Sequence, residues 1–289
     1  MGRRPGGSAP RVDGRHVLVG DDVASRPDAH WPFADGRLPD PEALPLVAEA
    51  LWQSGVQGEV ALGSGMPLGM FARERDAAQR AWEGRTLHPA VGAQAREVQV
   101  ARVVLRPQGG GAALWLVHKE KLPASEGLVA IVDVGTRTTD VLVLQSPRMA
   151  PVPRLSWSFE AGVATAANGL AAKVAHDTGH ALPPDLAAKA LVRPVRWAGT
   201  MVGGPDVARP FLTALAARVR ADVRRRLASD AHQVVHVALV GGGATLLDLR
   251  DIVPGAEVAQ LSPEESLFAN ALGFGLAAER AVGAAGMLG

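Results

Sequence analysis

The sequence predicts an α/β protein of two domains. Apolar strands alternate with amphipathic helices along most of the chain, which is typical of the α/β class. A length of 289 residues is enough for one large domain or for two medium ones, each with its own core. A hydrophobic share of 47% with scattered charge indicates a globular rather than a disordered chain. A Pro/Ser/Glu turn at 122–127 marks the expected boundary between the two domains.

Composition and charge exclude several classes of function. Thirty basic residues nearly cancel 29 acidic ones, so the whole molecule has no strong field for nucleic acid or an anionic membrane. The chain has no cysteine for disulfides or thiolate metal sites. It contains no run of about 18 apolar residues, and Met1–Pro10 has no apolar core of a secretory signal. We expect a cytoplasmic protein that binds neither nucleic acid nor membrane directly.

Elements in the first part of the chain follow from hydrophobic periodicity. Apolar residues that recur every three or four positions predict helices, and short continuous apolar runs predict buried strands. Glycine and proline close these segments. The predicted order is a strand at 16–20, a helix from 40 to 54, a strand at 60–62, a helix at 73–82, a strand at 98–105 and a helix at 111–118.

Elements in the second part follow the same rules. Two adjacent apolar strands are separated only by a polar turn, and three further helices precede the next strand. A long helix closes the chain. The predicted elements are strands at 128–134 and 138–144, helices at 162–178, 184–191 and 206–228, a strand at 234–240 and a helix at 263–282.

The most informative stretch reads LVAIVDVGTRTTDVLVL. An apolar strand delivers Asp133 at its end, and a second strand returns after a tight turn. The turn brings together backbone N–H groups and the hydroxyls of Thr136, Thr138 and Thr139, which suit phosphate oxygens, and Gly135 allows close approach. The Asp133 carboxylate could hold a hydrated magnesium ion or accept a proton from an attacking water. The alternative is an ordinary β-hairpin with a polar turn.

A second candidate site reads VVHVALVGGGA. A strand followed by Gly241, Gly242 and Gly243 brings a helix start close to a ligand without intervening side chains. The spacing does not match Gly-x-Gly-x-x-Gly, which disfavours a dinucleotide site. The alternative is that the glycines only permit close packing of helix and strand.

Together, these motifs resemble those of the actin/Hsp70/sugar-kinase superfamily. The segment from Asp133 to Asp140 resembles its second phosphate motif, and Gly241–Gly243 its adenosine motif. Residues 106–113 and 270–273 resemble its two connecting helices. By this resemblance the chain, over 16–282, is identified as a member of the actin-like ATPases. The likeness is closest to archaeal actin homologues and the ParM/StbA plasmid-segregation actins, on motifs at 35–38 (DGRL), 50–52 (ALW), 63–69 (GSGMPLG) and 203–205 (GGP).

The resemblance implies an α/β, two-domain actin-like (ribonuclease H-like) ATPase fold. Domain I would comprise 1–126 and 263–289, incomplete at its N-terminus, and domain II would comprise 127–262 with the phosphate-2 and adenosine motifs. The implied function is binding of ATP or GTP with Mg²⁺, and hydrolysis coupled to head-to-tail filament assembly. The implied role is cytoskeletal or in plasmid DNA segregation, with an adaptor protein as a further partner.

Residue roles follow from the same resemblance. Gln108 would orient the attacking water, and Asp133 would act through magnesium. The implied nucleotide contacts are Gly135, Thr136, Arg137, Thr138, Thr139, Arg224, Arg225, Gly241, Gly242 and Gly243. Read locally, Gln108 could equally be a polar residue at a helix start. Arg137 is better read locally as an exposed turn arginine, and Arg218, Arg220 and Arg226 as a solvated basic face.

One departure from the family pattern concerns the first phosphate hairpin. The family opens with a strand-turn-strand carrying Asp-x-Gly, whereas Val12–Gly20 resembles the strand that follows it. Asp13-Gly14 has no apolar strand before it. The hairpin is therefore predicted to be absent, either because the sequence is truncated or because the protein has lost half of its phosphate clamp. Both alternatives leave ATPase activity open. The first alternative is a non-hydrolysing actin-like scaffold that binds protein partners. A small-molecule kinase or hydantoinase-like enzyme is disfavoured, because little chain remains for a substrate domain.

Overall fold

A computed structural model describes the chain at residues 11–12, 15–16, 19, 44–91, 93–122 and 125–286. Contacts divide it into two compact units. The first contains the described residues up to Met66, Arg73–Leu105 and those from Ala277 onward. The second contains Pro67–Ala72 and Arg106–Leu276. In the described part of the chain, no helix is long and apolar enough to cross a membrane.

Two small sheets and two helices make up most of the described chain before residue 108. The strand order is β3-β7-β4 in one sheet and β2-β1-β5-β6 in the other. Trp82 and Met66 are buried almost completely in the first unit. The elements are β1 (Arg11–Val12), β2 (Arg15–His16), α1 (Leu44–Ser54), β3 (Gly58–Met66), α2 (Leu68–Trp82), β4 (Thr86–Leu87), β5 (Ala90–Val91), β6 (Gln94–Ala95) and β7 (Val98–Pro107).

The second unit is built on one larger sheet with helices on both faces. Its strand order is β10-β9-β8-β14-β15, with β11 also paired to β9. The elements after residue 108 are α3 (Gly110–His118), β8 (Gly127–Val134), β9 (Thr139–Ser146), β10 (Ala150–Pro151), β11 (Trp157–Phe159), α4 (Val163–Thr178), α5 (Pro184–Ala190), β12 (Pro194–Trp197), β13 (Thr200–Gly203), α6 (Pro205–Leu227), β14 (Val234–Val240), β15 (Glu257–Val258) and α7 (Pro263–Gly286), of which the part from Ala277 onward belongs to the first unit.

The central strand β8 is apolar because both of its faces are covered. Alternate side chains of a strand point to opposite faces. Ala130 and Val132 belong to one apolar cluster, which includes Leu170 of α4 and Val219 of α6. Val129 and Ile131 belong to another, with Leu116 of α3 and Ala269 of α7. A strand covered on both faces reads as a continuous apolar run, as the sequence predicted.

Register places the functional candidates at one edge of this sheet. β8 runs antiparallel to β9, with Asp133 opposite Asp140. It runs parallel to β14, with Asp133 beside Val240. The carboxyl ends of β8 and β14 therefore lie together, which is where ligands bind in open α/β sheets.

The long predicted elements match the structure to within a few residues, and the main differences have local causes. The predicted strand at 60–62 continues through Gly63 and Gly65 to the buried Met66. The β12–β13 hairpin was not predicted, because Pro194 and Gly203 read as loop residues. The predicted absence of a first phosphate hairpin concerns residues of which most, including Asp13 and Gly14, lie outside the described part of the chain. It stays a prediction.

The predicted domain bounds also stay a prediction, but the compact units divide the chain differently. Residues 106–122 and 263–276, assigned above to domain I, pack in the second unit. The reason is apolar contact, since Leu116 and Ala269 lie in the cluster on the Val129 face of β8.

The β12–β13 turn generates a prediction for stability. Trp197 pairs with Thr200, so Ala198 and Gly199 form a two-residue turn, and both have positive φ, 46° and 79°. An L-residue with a β-carbon is strained there, whereas Asn-Gly is favoured. Ala198→Asn should raise the free energy of unfolding by about 0.5–1 kcal/mol, measured by urea denaturation. Ala198→Val should lower it. A loss of stability in Ala198→Asn would contradict this account of the turn.

Candidate functional site

Two buried carboxylates face each other where β8 and β9 meet the turn. Asp133 is 5% exposed and Asp140 is 1% exposed. Burial, and after it the charge of Asp140, raises the pKa of Asp133 from 3.8 to about 6. A hydrogen bond of 2.7 Å from Asn270 Nδ2 to Asp133 Oδ2 opposes the rise. Asp133 is thus a buried acid that can titrate near neutral pH, as the groups of functional sites commonly do.

Asp140 accepts hydrogen bonds from a distant part of the chain. Its Oδ1 accepts from the backbone N–H of Leu68, at 2.9 Å, and Leu68 is the first residue of α2. Its Oδ2 accepts from the Thr138 hydroxyl at 3.2 Å. Burial raises the pKa of Asp140, and the hydrogen bonds from Leu68, Ser158 and Thr138 lower it. Asp140 therefore supplies the α2 start with an acceptor for an N–H that has no partner within the helix.

The turn between β8 and β9 is held by the start of α4. The Gly135 N–H donates to Thr138 O at 2.9 Å, which closes the turn. The carbonyl oxygens of Gly135 and Thr136 accept from the N–H groups of Val163 and Ala164, at 3.0 and 2.8 Å. A side chain at Gly162 would meet Thr136 O at 2.5 Å, so glycine is required at this approach. The turn is therefore fixed in shape before any ligand binds.

The turn side chains divide into structural and exposed ones. Thr139 is fully buried, and its hydroxyl donates to Ala161 O at 2.5 Å. Its side chain secures β9 to the segment before α4, so its predicted role as a nucleotide contact is corrected to a structural one. The Thr138 hydroxyl is engaged by Asp140. Thr136 and Arg137 are exposed, and Gly135 is half-buried. These three residues keep a position suited to phosphate.

The three glycines after β14 have different roles. A side chain at Gly241, which has φ 85°, would meet Asp133 Oδ1 at 2.4 Å, and one at Gly243 would meet Val134 Cγ1 at 2.5 Å. These two glycines permit the close approach of the loop to β8. A β-carbon at Gly242 would meet only the tip of Leu267, at 3.3 Å. Gly242 is thus the position at which a larger side chain would project into open space.

The predicted adenine contacts Arg224 and Arg225 have other partners. Arg224 donates to Ile252 O at 3.3 Å and pairs with Asp251 at 3.0 Å. The exposed Arg225 pairs with the half-buried Asp222, three residues earlier on α6. Both guanidinium groups thus already have carboxylate partners, and their predicted role at the adenine and ribose stays a prediction.

A cavity of about 520 Å³ lies beside the 3-10 turn Gly242–Thr245, further toward the start of α6. Spacings of three and four residues place its α6 lining on one helix face. Arg224 continues that series one turn beyond the cavity. The lining includes Arg209, Leu212, Thr213, Ala216 and Arg220 of α6 together with Thr245 and Leu246. The helical periodicity of 209, 213, 216 and 220 could have identified these residues from the sequence.

Gln108 lies at the junction of β7 and α3 and is half-buried. Its neighbour Gly109 donates its N–H to Asn270 Oδ1 at 2.9 Å. The same Asn270 side chain donates to Asp133. The Asn270 amide therefore connects the segment that contains Gln108 with Asp133. Gln108 and Asp133 are the two residues predicted to act on water. Residues 270–273 stand out in the sequence as a motif, but no local pattern assigns Asn270 to the site.

Magnesium fits this site only with help from ligands outside the chain. Among the described residues, no group of three or more His, Cys, Asp or Glu side chains could hold a metal ion. The Asp133 carboxylate is the type of hard oxygen ligand that Mg²⁺ uses, and Mg²⁺ normally keeps several waters and binds substrate phosphates. The donor set therefore suits magnesium bound by water and phosphate rather than a metal cage formed by protein alone.

Comparisons with known proteins identify the family. One family model, actin-like proteins N-terminal domain, matches residues 4–111. Another, archaeal actin homologue MreB-like C-terminal, matches residues 131–251. An archaeal actin homolog of Thermoplasma volcanium is 41% identical over 267 residues, 90% of this chain and 82% of that protein. The chain belongs to the archaeal actin homologues. One from Thermoplasma acidophilum is 39% identical over 277 residues, covering 93% and 85% of the two chains.

Solved structures confirm the actin-like fold of this archaeal actin homologue. A crystal structure of an archaeal actin homolog in complex with ADP has a TM-score of 0.80 at 40% identity, covering 85% of this chain and 81% of that one. A ParM filament structure from Clostridium botulinum has a TM-score of 0.70 at 17% identity, covering 85% and 75%. The first matches in both sequence and fold, and the second in fold alone. The predicted family and fold class are confirmed.

Burial of Asp133 leads to a prediction about stability and pH. Because its pKa is raised in the folded state, its contribution to stability is present below pH 3.8 and is lost as the pH rises through about 6. Asp133→Asn removes the buried charge and keeps an acceptor for Asn270. Without nucleotide and in EDTA, we expect it to raise the free energy of unfolding by about 1–3 kcal/mol at pH 8, and by less at pH 5.

Urea denaturation at the two pH values measures both effects. The control is Asp177→Asn, which removes an exposed carboxylate paired with Lys173 on α4 and should change stability by less than about 0.5 kcal/mol. If Asp133→Asn is less stable than the wild type at pH 8, the folded protein stabilises the Asp133 charge by more than its burial costs, and this prediction is wrong.

Proposed function

We propose that this archaeal actin homologue binds ATP or GTP with Mg²⁺, hydrolyses it and couples hydrolysis to head-to-tail filament assembly. The observation that carries the proposal is the meeting of two loops at one sheet edge. The turn after Asp133 follows β8, and the loop Gly241–Gly243 follows the adjacent parallel strand β14. The α6 cavity lies beside the second of these loops. The ADP complex of a relative 40% identical to this chain supports a nucleotide as the ligand.

The phosphates would lie against the turn after β8. Gly135 allows close approach, and the exposed Thr136 and Arg137 offer a hydroxyl and a positive charge. Magnesium at Asp133 would supply charge neutralisation at these phosphates. Gln108, adjacent to the Asn270-bound Gly109, would orient the attacking water, since an amide can do this without becoming a base.

The base and ribose would lie beside Gly242 and in the α6 cavity. Leu212, Ala216 and Leu246 give the cavity an apolar wall. Thr213 adds a hydroxyl, and Arg220 adds a guanidinium that pairs with Asp251 at 2.8 Å. Such a mostly apolar cleft with few polar groups is typical of small-molecule sites.

Filament assembly rests on a weaker comparison than nucleotide binding. The ParM filament structure shares only the fold with this chain. Copies of one chain that meet through two different surfaces form open polymers. A cytoskeletal or plasmid-segregation role, an adaptor protein and a cytoplasmic location are part of the same proposal.

The decisive experiment measures phosphate release and sedimentation together. ATP and GTP are added to the full chain with Mg²⁺ or with EDTA. We expect Mg²⁺-dependent phosphate release and a polymer that sediments only with nucleoside triphosphate. Nucleotide binding without phosphate release would contradict hydrolysis and support the non-hydrolysing scaffold instead.

Gln108→Ala tests the water-orienting role. We expect phosphate release to slow by roughly 10- to 100-fold while the affinity for ADP stays near the wild-type value, because the amide would act on water rather than on bound nucleotide. The matched control is Gln94→Ala on β6, an exposed glutamine. Wild-type turnover by Gln108→Ala would refute the assignment.

Gly242→Val tests the nucleoside side of the site. A branched side chain would fill the space beside Gly242, where we place ribose or base, and should remove the rise in melting temperature caused by ADP. Gly242→Ala is the graded control, because its single methyl group meets only the flexible tip of Leu267 and should keep most of the rise. If ADP raises the melting temperature of Gly242→Val as much as that of the wild type, these glycines serve packing alone.

A further inference from the structure

The side chain of Asn270 on α7 makes three hydrogen bonds to two separate segments. Its Oδ1 accepts from the N–H groups of Gly109 and Ala112, at 2.9 and 3.1 Å. Its Nδ2 donates to Asp133 Oδ2 at 2.7 Å. The amide thus spans from the start of α3 to the carboxylate at the end of β8.

The orientation of this amide is determined by its partners. Backbone N–H groups can only donate, so the Asn270 oxygen must face α3. The NH₂ group then necessarily faces Asp133, where the carboxylate accepts its hydrogen bond. A carboxylate that loses this donor would keep its burial and its repulsion by Asp140, both of which disfavour its charged form.

Helix α3 depends on Asn270 because it has no cap of its own. The residue before its first turn, Gly109, has φ 82° and no side chain to accept hydrogen bonds from the first N–H groups. Such groups have no partners within a helix and need an acceptor from elsewhere. Asn270 supplies it, and so holds the segment that contains Gln108.

Helix α7 itself is fixed on both sides of Asn270. One turn earlier, Ser266 O accepts from the N–H of Gly241 at 2.8 Å. Three residues later, Gly273 lies so close to α3 that a β-carbon there would clash with Gly111 O. Asn270 therefore has little freedom to move away from its partners.

We propose that Asn270 is a positioning residue that holds the Asp133 carboxylate and the start of α3 in the arrangement required for magnesium-dependent nucleotide binding. It acts through Asp133 and does not itself contact nucleotide. The inference rests on the proposed function, because it assigns Asn270 a part in the same site. Partners of metal ligands at such positions typically contribute 10- to 100-fold to metal affinity or activity.

The test compares ADP affinity with Mg²⁺ and with EDTA, by titration calorimetry on the full chain. The ratio of the two affinities is the magnesium gain. In Asn270→Ala we expect this gain to fall by about 10-fold or more, while affinity in EDTA changes little. A residue that only supported the fold would lower both affinities together and leave the gain unchanged.

Two further variants keep the test decisive. Asn270→Ser, a smaller change, should reduce the gain in the same way, and thermal melting verifies that each variant folds. In an Asp133→Asn background, Asn270→Ala should have no further effect on the gain, because the two residues act as one unit. The matched control is Asn168→Ala on the exposed face of α4, which should leave both affinities unchanged.

The outcomes separate this inference from the proposed function. A folded Asn270→Ala protein with the wild-type gain would overturn the positioning role while nucleotide binding stands. Wild-type protein that binds ADP with no magnesium gain would also overturn it, since Asp133 would not be a magnesium site. Wild-type protein that binds no nucleotide would contradict the proposed function, and the inference would fail with it.

Discussion

The second unit depends on two carboxylates that are buried side by side. Asp133 and Asp140 sit opposite each other on β8 and β9, and a buried charge is costly unless it finds partners. Those partners come from elsewhere in the chain: Asn270 of α7 for Asp133, and the N–H of Leu68 in α2 for Asp140. Because each partner must lie within hydrogen-bond distance of β8 or β9, the two carboxylates constrain where α2 begins and where α7 packs against the sheet.

The same constraint explains the glycines around the site. The loop after β14 lies against Asp133 and Val134 of the neighbouring strand β8. A side chain at Gly241 or Gly243 would therefore clash with β8. Gly162 has an equivalent role where α4 meets the turn. The loops are therefore already shaped for a ligand, which reduces the free energy lost in ordering them on binding.

The α6 side of the site shows how far sequence reasoning extends. The family resemblance pointed to this helix and suggested Arg224 and Arg225 as the residues beside the adenine and ribose, which stays a prediction. In the structure they pair with Asp251 and Asp222, because exposed arginines on a helix find nearby carboxylates. The cavity lies one turn or more earlier, beside Arg220. The sequence shows that an arginine can bind an anion, but only the structure shows which carboxylate lies close enough to pair with it.

The sequence by itself determined the class of fold, the order of the long elements, and the two loops after β8 and β14. All of these follow from local patterns: apolar runs, helical periodicity and glycine-containing turns. Only the tertiary structure decided that Thr139 points inward to Ala161, and that Asn270 joins Gly109 to Asp133. Asn270 lies 161 and 137 residues from these partners. Hydrogen bonds over such separations depend on how the strands and helices pack, and no pattern within a short window of sequence encodes that packing.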